Sequence, residues 1–355
     1  MRIGIVNDSL MAREALRRAV ASAVTHQVAW LACDGKEAIQ KAATDLPDLI
    51  LMDLIMPGVD GVEATRQIME KSPCPILVVT ATVSGHLGRV YEAMGLGALD
   101  AVDTPSLGPT DSMAGASLLL QKIATIGKLV GRGPRLPVDP AVVAGPTVAA
   151  AGDRRSVSWN LVVLGASTGG PAAIGNVLSD LPDSPDASIV IIQHVDVAFA
   201  PGLARWLGDR TGRRIELAAA GDRPLPGRAY LAATNDHLVL DQSCQFRYVA
   251  EPIANHYRPS VDVFLTSVIR HWPEPGAAAV LTGMGRDGAA GLLALRQSGW
   301  LTIAQDEATS VVYGMPRAAA EVGAAGAILP IHEIGGAIAE RVRDRSYRIP
   351  GAHRR

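Results

Sequence analysis

Short apolar runs alternate with stretches in which apolar residues recur every three or four positions, and the alternation holds over the first third of the chain. The runs Ile3–Val6, Val28–Ala32, Leu49–Met52, Ile76–Val79 and Ala98–Val102 are rich in Val, Ile and Leu, as strands buried on both faces are. Helical spacing falls near Leu10–Ala23, Lys36–Ala43, Gly61–Lys71, Leu87–Gly95 and Ser112–Val130. Repeated strand–helix units predict a five-stranded parallel sheet covered on both faces. From Gly131 to Ser156 the pattern lapses into Gly, Pro, Ala and Arg without a period, which predicts a linker.

A second alternating block follows, with strands predicted at Leu161–Leu164, Ile189–Ile192, Ala277–Leu281, Leu301–Ala304 and Ala327–Leu329. The stretch Gly227–Ala250 differs: three short alternating runs are separated by Thr234-Asn235-Asp236 and Asp241-Gln242-Ser243, which reads as an antiparallel meander set into the sheet. The division is residues 1–130, a linker at 131–156, a second domain at 157–347 and a tail at 348–355.

Composition narrows the class. Hydrophobic residues make up 48% but aromatics only 4%, so two cores must be built from Ala, Val, Ile and Leu. The formal net charge of −2 gives no electrostatic basis for binding nucleic acid. No apolar stretch is long enough to insert into a membrane, and the chain opens directly into a strand. Cys33, Cys74 and Cys244 share no ligand spacing, which fits a reducing cytoplasm better than a disulfide framework.

Two clusters carry chemistry. In a parallel sheet, the loops after the strands' carboxyl ends share a crevice. The first strand runs into Asn7-Asp8, the third into Asp53 and the fourth into Thr80. Asp8 and Asp53, with an oxygen from Asn7, make a Mg²⁺ site beside a carboxylate able to attack a phosphoryl group, and Thr80 could bond that group. Singly, Asp8 reads as a helix cap and Asp53 as a turn acid. In the second block, Leu161–Leu164 breaks into Gly165-Ala166-Ser167-Thr168-Gly169-Gly170, a sharp strand-to-helix turn that displays a hydroxyl. The alternative is a phosphate-cradling loop, although the spacing is not GxGxxG. His194 follows the next strand, and Asp287 lies in the glycine turn Thr282–Gly288. Singly, His194 reads as structural and Asp287 as an N-cap. Together, Ser167, His194 and Asp287 fit acyl transfer to water, with oxyanion donors near Thr168 and Met284 and a cleft residue in Arg258. His256 and Tyr257 are further cleft candidates, or equally an exposed loop pair.

Residues 1–130 resemble the receiver domain of two-component response regulators through Asn7-Asp8-Ser9, Asp53 with Met56-Pro57 and Asp60-Gly61, Thr80-Ala81 and Gly97-Ala98-Leu99-Asp100. That resemblance implies a flavodoxin-like fold, phosphorylation of Asp53 with Mg²⁺, and a CheA-type histidine kinase as donor. Two departures stand out. Asn7 replaces an acid, and Thr104 in Asp103-Thr104-Pro105 replaces a lysine. The second block resembles the catalytic domain of the CheB family of protein-glutamate methylesterases and glutamine deamidases. The carrying motifs are Gly165-Ala166-Ser167-Thr168-Gly169-Gly170-Pro171, Gln193-His194, Arg258-Pro259-Ser260-Val261-Asp262, Thr282–Gly288 and Gln305-Asp306-Glu307. The resemblance implies two doubly wound α/β domains, the second Rossmann-like with an antiparallel meander. It also implies Ser167 as nucleophile, His194 as base and Asp287 as its orienter, with no metal needed for the ester step. The substrate implied is a methyl-accepting chemotaxis receptor. The start Met1–Asp8 and Asp103-Thr104-Pro105 look most like the Wsp surface-sensing branch of that family. Two rivals stay open: a phosphate-accepting scaffold without activity, and a dinucleotide-binding oxidoreductase.

Overall fold

The computed structural model describes residues 1–81, 85, 87–107, 113–129, 159–182, 186–195, 197, 199–253 and 258–344. The predicted linker, the tail, His256 and Tyr257 lie outside these residues.

The first domain alternates β1 (Arg2–Val6), α1 (Leu10–Ala21), β2 (Gln27–Ala32), α2 (Gly35–Thr44), β3 (Leu49–Met52), α3 (Gly61–Lys71), β4 (Ile76–Thr80), α4 (Leu87–Gly95) and β5 (Asp100–Asp103). A two-residue hairpin of β6 (Ser106–Leu107) and β7 (Met113–Ala114) precedes α5 (Ala116–Leu129). The five long strands pair in parallel in the order β2-β1-β3-β4-β5. Strand order reverses between β1 and β3, and a crevice opens there. Ile3, Ile5, Leu49 and Leu51 face α1 and α5, while Ile50, Met52, Ile76 and Val78 face α2, α3 and α4. This period-two division explains why the strands read as continuous apolar runs. Ser9, not Asp8, caps α1, its side chain accepting from the Ala12 N–H.

The second domain contains β8 (Asn160–Ala166), α6 (Gly170–Asp180), β9 (Ala187–Gln193), α7 (Ala200–Thr211), β10 (Ile215–Leu217) and β11 (Ala229–Leu231). It continues through β12 (His237–Leu240), β13 (Phe246–Val249), α8 (Val261–His271), β14 (Ala277–Val280), α9 (Ala289–Gln297), β15 (Leu301–Gln305), α10 (Met315–Glu321), β16 (Ala327–Leu329) and α11 (Ile331–Arg343). Seven parallel strands run in the order β10-β11-β9-β8-β14-β15-β16. From β8 the chain crosses first to β9 on one side and later to β14 on the other, so the switch point lies beyond the carboxyl end of β8. The predicted meander divides differently. Its first run becomes β11 inside the parallel sheet, and the other two form a separate antiparallel pair, β12 with β13. The alternation that suggested three equal runs reflects packing of one face only: Leu238, Leu240 and Phe246 sit in the core beside Phe264 of α8. Truncating the fully buried Phe264 to Ala should cost about 3–5 kcal/mol and loosen the N-terminus of α8.

The two domains meet through α4, which packs on α6 and α7. Tyr91 is buried in the core of the second domain, its ring 6.1 Å from that of Trp206 and its hydroxyl donating to the Phe199 carbonyl at 2.8 Å. Among the described residues no helix is long and apolar enough to cross a membrane.

Candidate active site

Ser167 follows β8, His194 follows β9 and Asp287 lies beyond β14, all at the switch point. The turn after β8 is forced by its residues. Gly169 takes φ +76°, a conformation costly for a side chain, and Pro171 starts α6 where no N–H is needed. Gly283 approaches so closely that a Cβ there would stand 2.8 Å from that of Ser167. The Gln193 side chain donates to the Ser167 carbonyl at 2.8 Å, and the His194 N–H donates to the Ala166 carbonyl at 3.0 Å, tying the two strand ends together. The Ser167 N–H is itself used, donating to Thr282 O at 3.1 Å. The N–H groups of Thr168 and Met284 have no hydrogen-bond partner among the described residues, as an oxyanion site requires.

His194 presents Nε2 to Asp287 Oδ2 at 2.8 Å. The carboxylate is 5% exposed and also accepts from Ser260 Oγ at 2.8 Å, Val261 N at 2.6 Å and Asp262 N at 3.1 Å. Burial would raise its pKa, but the donors, with His194 foremost, outweigh burial and hold it below the ordinary carboxylate value. Asp287 therefore does not cap its own helix. Gly288 stands at the N-cap of α9, and the Asp287 carboxylate sits at the N-terminus of α8 instead. Ser260 carries no local sequence signal of a role, because its hydroxyl reaches Asp287 only through the tertiary fold.

A cavity of about 510 Å³ brings Ser167, Thr168, His194 and Arg258 together. Its opposite wall belongs to the first domain, with Tyr91, Met94, Asp100 and Lys122; the last two form an ion pair at 2.6 Å. Met284 lines a neighbouring cavity between the domains, with Met69, Pro73 and Leu99. Leu99 and Asp100 belong to a receiver motif, but no local sequence signal marks any of these residues as a wall of the second domain's site.

The acid cluster of the first domain also assembles at its switch point. Asp53 is 7% exposed; Asn7 Nδ2 donates to its Oδ2 at 2.8 Å and Leu54 N to its Oδ1 at 2.7 Å. Asp8 is exposed, Thr80 is buried at the end of β4, and Thr104 beside it has a buried hydroxyl without a partner among the described residues. The Asp8 and Asp53 carboxylates suit a hard divalent cation. The Asn7 oxygen expected among the ligands instead accepts from the Ser9 N–H at 2.8 Å.

Sequence comparison decides the family. The CheB methylesterase family matches residues 162–338 and the response regulator receiver domain matches residues 3–107. A Pseudomonas putida protein-glutamate methylesterase/protein-glutamine glutaminase of group 3 operon is 52% identical over 96% of this chain and 99% of its own. The chain belongs to the CheB family. A second CheB relative, a protein-glutamate methylesterase/protein-glutamine glutaminase of Mesorhizobium japonicum, is 52% identical over 96% of this chain and 98% of its own. Among solved structures, the Thermotoga maritima CheB methylesterase catalytic domain covers 52% of this chain and 99% of that domain, at 34% identity and a TM-score of 0.50.

Proposed function

We propose that the chain is a phosphorylation-regulated hydrolase that removes methyl esters from glutamates of methyl-accepting chemoreceptors and deamidates receptor glutamines. The observation that carries the reading is the convergence of Ser167 and His194 on one cavity at the switch point, with the buried Asp287 bonded to His194. Ser167 Oγ attacks the ester carbonyl while His194 takes its proton. The Asp287 carboxylate, bonded to Nε2, holds the imidazole in place and offsets the charge it gains. The N–H groups of Thr168 and Met284 hold the oxyanion, and Arg258 lines the substrate's approach. His194 returns the proton to methanol as the acyl-serine forms. Water, deprotonated by the same imidazole, then releases glutamate and restores the serine. A glutamine side chain follows the same course and loses ammonia.

Asp53 takes the phosphoryl group from a CheA-type histidine kinase. Asp8 and Asp53 would hold Mg²⁺, which supplies charge neutralisation there. With the receiver forming one wall of the cavity, phosphorylation frees the catalytic face by shifting population to an open arrangement. The work is cytoplasmic. We assign the chain to the Wsp-type branch, WspF being the member it resembles, on its first eight residues and Asp103-Thr104-Pro105. Methanol release from Wsp-type receptors, and not from motility receptors, would support that assignment.

The deciding experiment is methanol release from methylated receptor membranes by wild type and Ser167→Ala, with and without a small phosphodonor. Serine-dependent release that rises with donor is expected. No release by wild type from the cognate membranes would overturn the esterase reading and favour a phosphate-accepting scaffold.

A further inference from the structure

The N-terminus of α8 and the start of α9 are clasped by each other's carboxylates. Asp287, which leads into α9, accepts from the first N–H groups of α8, those of Val261 and Asp262. Asp262, in the first turn of α8, returns the contact by accepting from the Gly291 N–H of α9 at 2.7 Å. Ser260 stands inside this clasp, fully buried. Its hydroxyl accepts from Val263 N at 3.3 Å as the N-cap, and it spends its one proton on Asp287 Oδ1 at 2.8 Å. Its backbone N–H donates to Nδ1 of the buried His237 on β12 at 3.2 Å, which fixes the residue from the far side.

A helix cap needs only an acceptor, and Asp287 already supplies acceptors to this helix. The direction of the Ser260 proton is therefore informative. The carboxylate torsion of an aspartate is intrinsically broad. Without Ser260, Oδ1 would keep a single backbone donor at 3.1 Å, and the plane that presents Oδ2 to His194 would be freer to swing. We propose that Ser260 is a positioning residue, whose hydroxyl fixes the plane of the Asp287 carboxylate and draws part of its charge to Oδ1, away from His194. This rests on the Ser167–His194–Asp287 reading and adds a fourth member to it.

The test uses the full chain with Ser260→Gly, since glycine is tolerated at an N-cap, and Ser260→Thr, which keeps the hydroxyl. Methanol release from methylated receptor membranes is measured against substrate concentration and pH, and thermal melts report the folded fraction. Ser260→Gly should lower kcat by about 10- to 100-fold with KM little changed, the range for losing one hydrogen bond to a charged group. The acidic limb of its kcat/KM profile should move to higher pH, because a carboxylate with one fewer donor holds the imidazolium more strongly. Ser260→Thr should recover the rate to within about threefold of wild type, the hydrogen bond being kept. A fixed midpoint, a loss that merely follows the folded fraction, or failure of threonine to rescue would each overturn the proposal. Asp287→Asn is run alongside. If that variant keeps the wild-type rate, the triad reading itself falls; if it is slow while Ser260→Gly is normal, only the positioning role falls.

Discussion

Asp53 and Asp287 occupy the same place in two similar sheets, beyond a strand's carboxyl end at the reversal of strand order, and they are both nearly buried. Their surroundings differ. Asp287 takes two side-chain and two backbone donors, shared between its oxygens, and sits on a helix N-terminus. Asp53 is held by a neutral amide and the adjoining backbone, beside the exposed Asp8. A carboxylate bonded to an imidazole on a helix N-terminus can orient that neighbour; one beside a second, exposed carboxylate can share a cation with it and accept a group. Topology puts a carboxylate at an active edge, and the kind of group beside it decides what it does there.

The largest effect that would break this comparison is loss of Ser167. Ser167→Ala should lower methanol release by about 10⁴-fold or more, as removal of a nucleophile does, while Asp53 still takes label from a phosphodonor. If the esterase rate survives, the second edge is not the one doing the chemistry. Next come the two carboxylates themselves. Asp287→Asn should cost about 10³- to 10⁴-fold in kcat with phosphorylation intact, since the amide would favour the wrong imidazole tautomer. Asp53→Asn should do the reverse: no label incorporated, basal esterase retained, and no response to donor. A shared phenotype for these two variants would erase the distinction between them.

Asp262 tests how costly the crowded edge is. Burial, with the negative Asp287 nearby, pushes its carboxyl up from 3.8 to about 6. Between those values the folded chain keeps a proton that the unfolded chain has released, so this contribution to stability is full below about pH 4 and is lost as pH rises through about 6. Asp262→Asn cannot lose it. Relative to wild type, the variant should gain on the order of 1–3 kcal/mol between pH 4 and pH 7, read from urea unfolding at each pH. A stability difference that stays constant with pH would show that the clasp carries no such penalty.

Much of this arrangement was legible in the chain, and the gaps have physical causes. Strand ends are legible because buried parallel strands are continuous apolar runs, so the pattern alone assigns Asn7, Asp8, Asp53, Ser167, His194 and Asp287 to sheet edges. What those residues touch is not legible in it. Ser260 and Asp287 are separated by 27 positions and meet only because α8 lies against α9. The three alternating runs at Gly227–Ala250 looked equivalent, yet one enters the sheet and two leave it, since period-two patterning reports a buried face and not its neighbour. The wall that Tyr91 and Lys122 bring to the second domain is likewise set by docking between domains.

That docking offers the smallest and most selective test. Tyr91 joins the edges: it projects from α4 of the first domain into the core of the second, and its hydroxyl donates to the Phe199 carbonyl. Tyr91→Phe keeps the ring against Trp206 and removes only that bond. A neutral hydrogen bond contributes about 0.5–1.5 kcal/mol net, so the open arrangement should become about 2- to 10-fold more populated in the unphosphorylated protein. Methanol release without phosphodonor should rise by that factor. Release with saturating donor should stay at the wild-type level, because the open form already dominates there. A rise under both conditions would mean that Tyr91 acts on the catalytic edge itself. No rise under either would mean that the contact does not hold the domains closed, and that Asp53 communicates with Ser167 through another part of the interface.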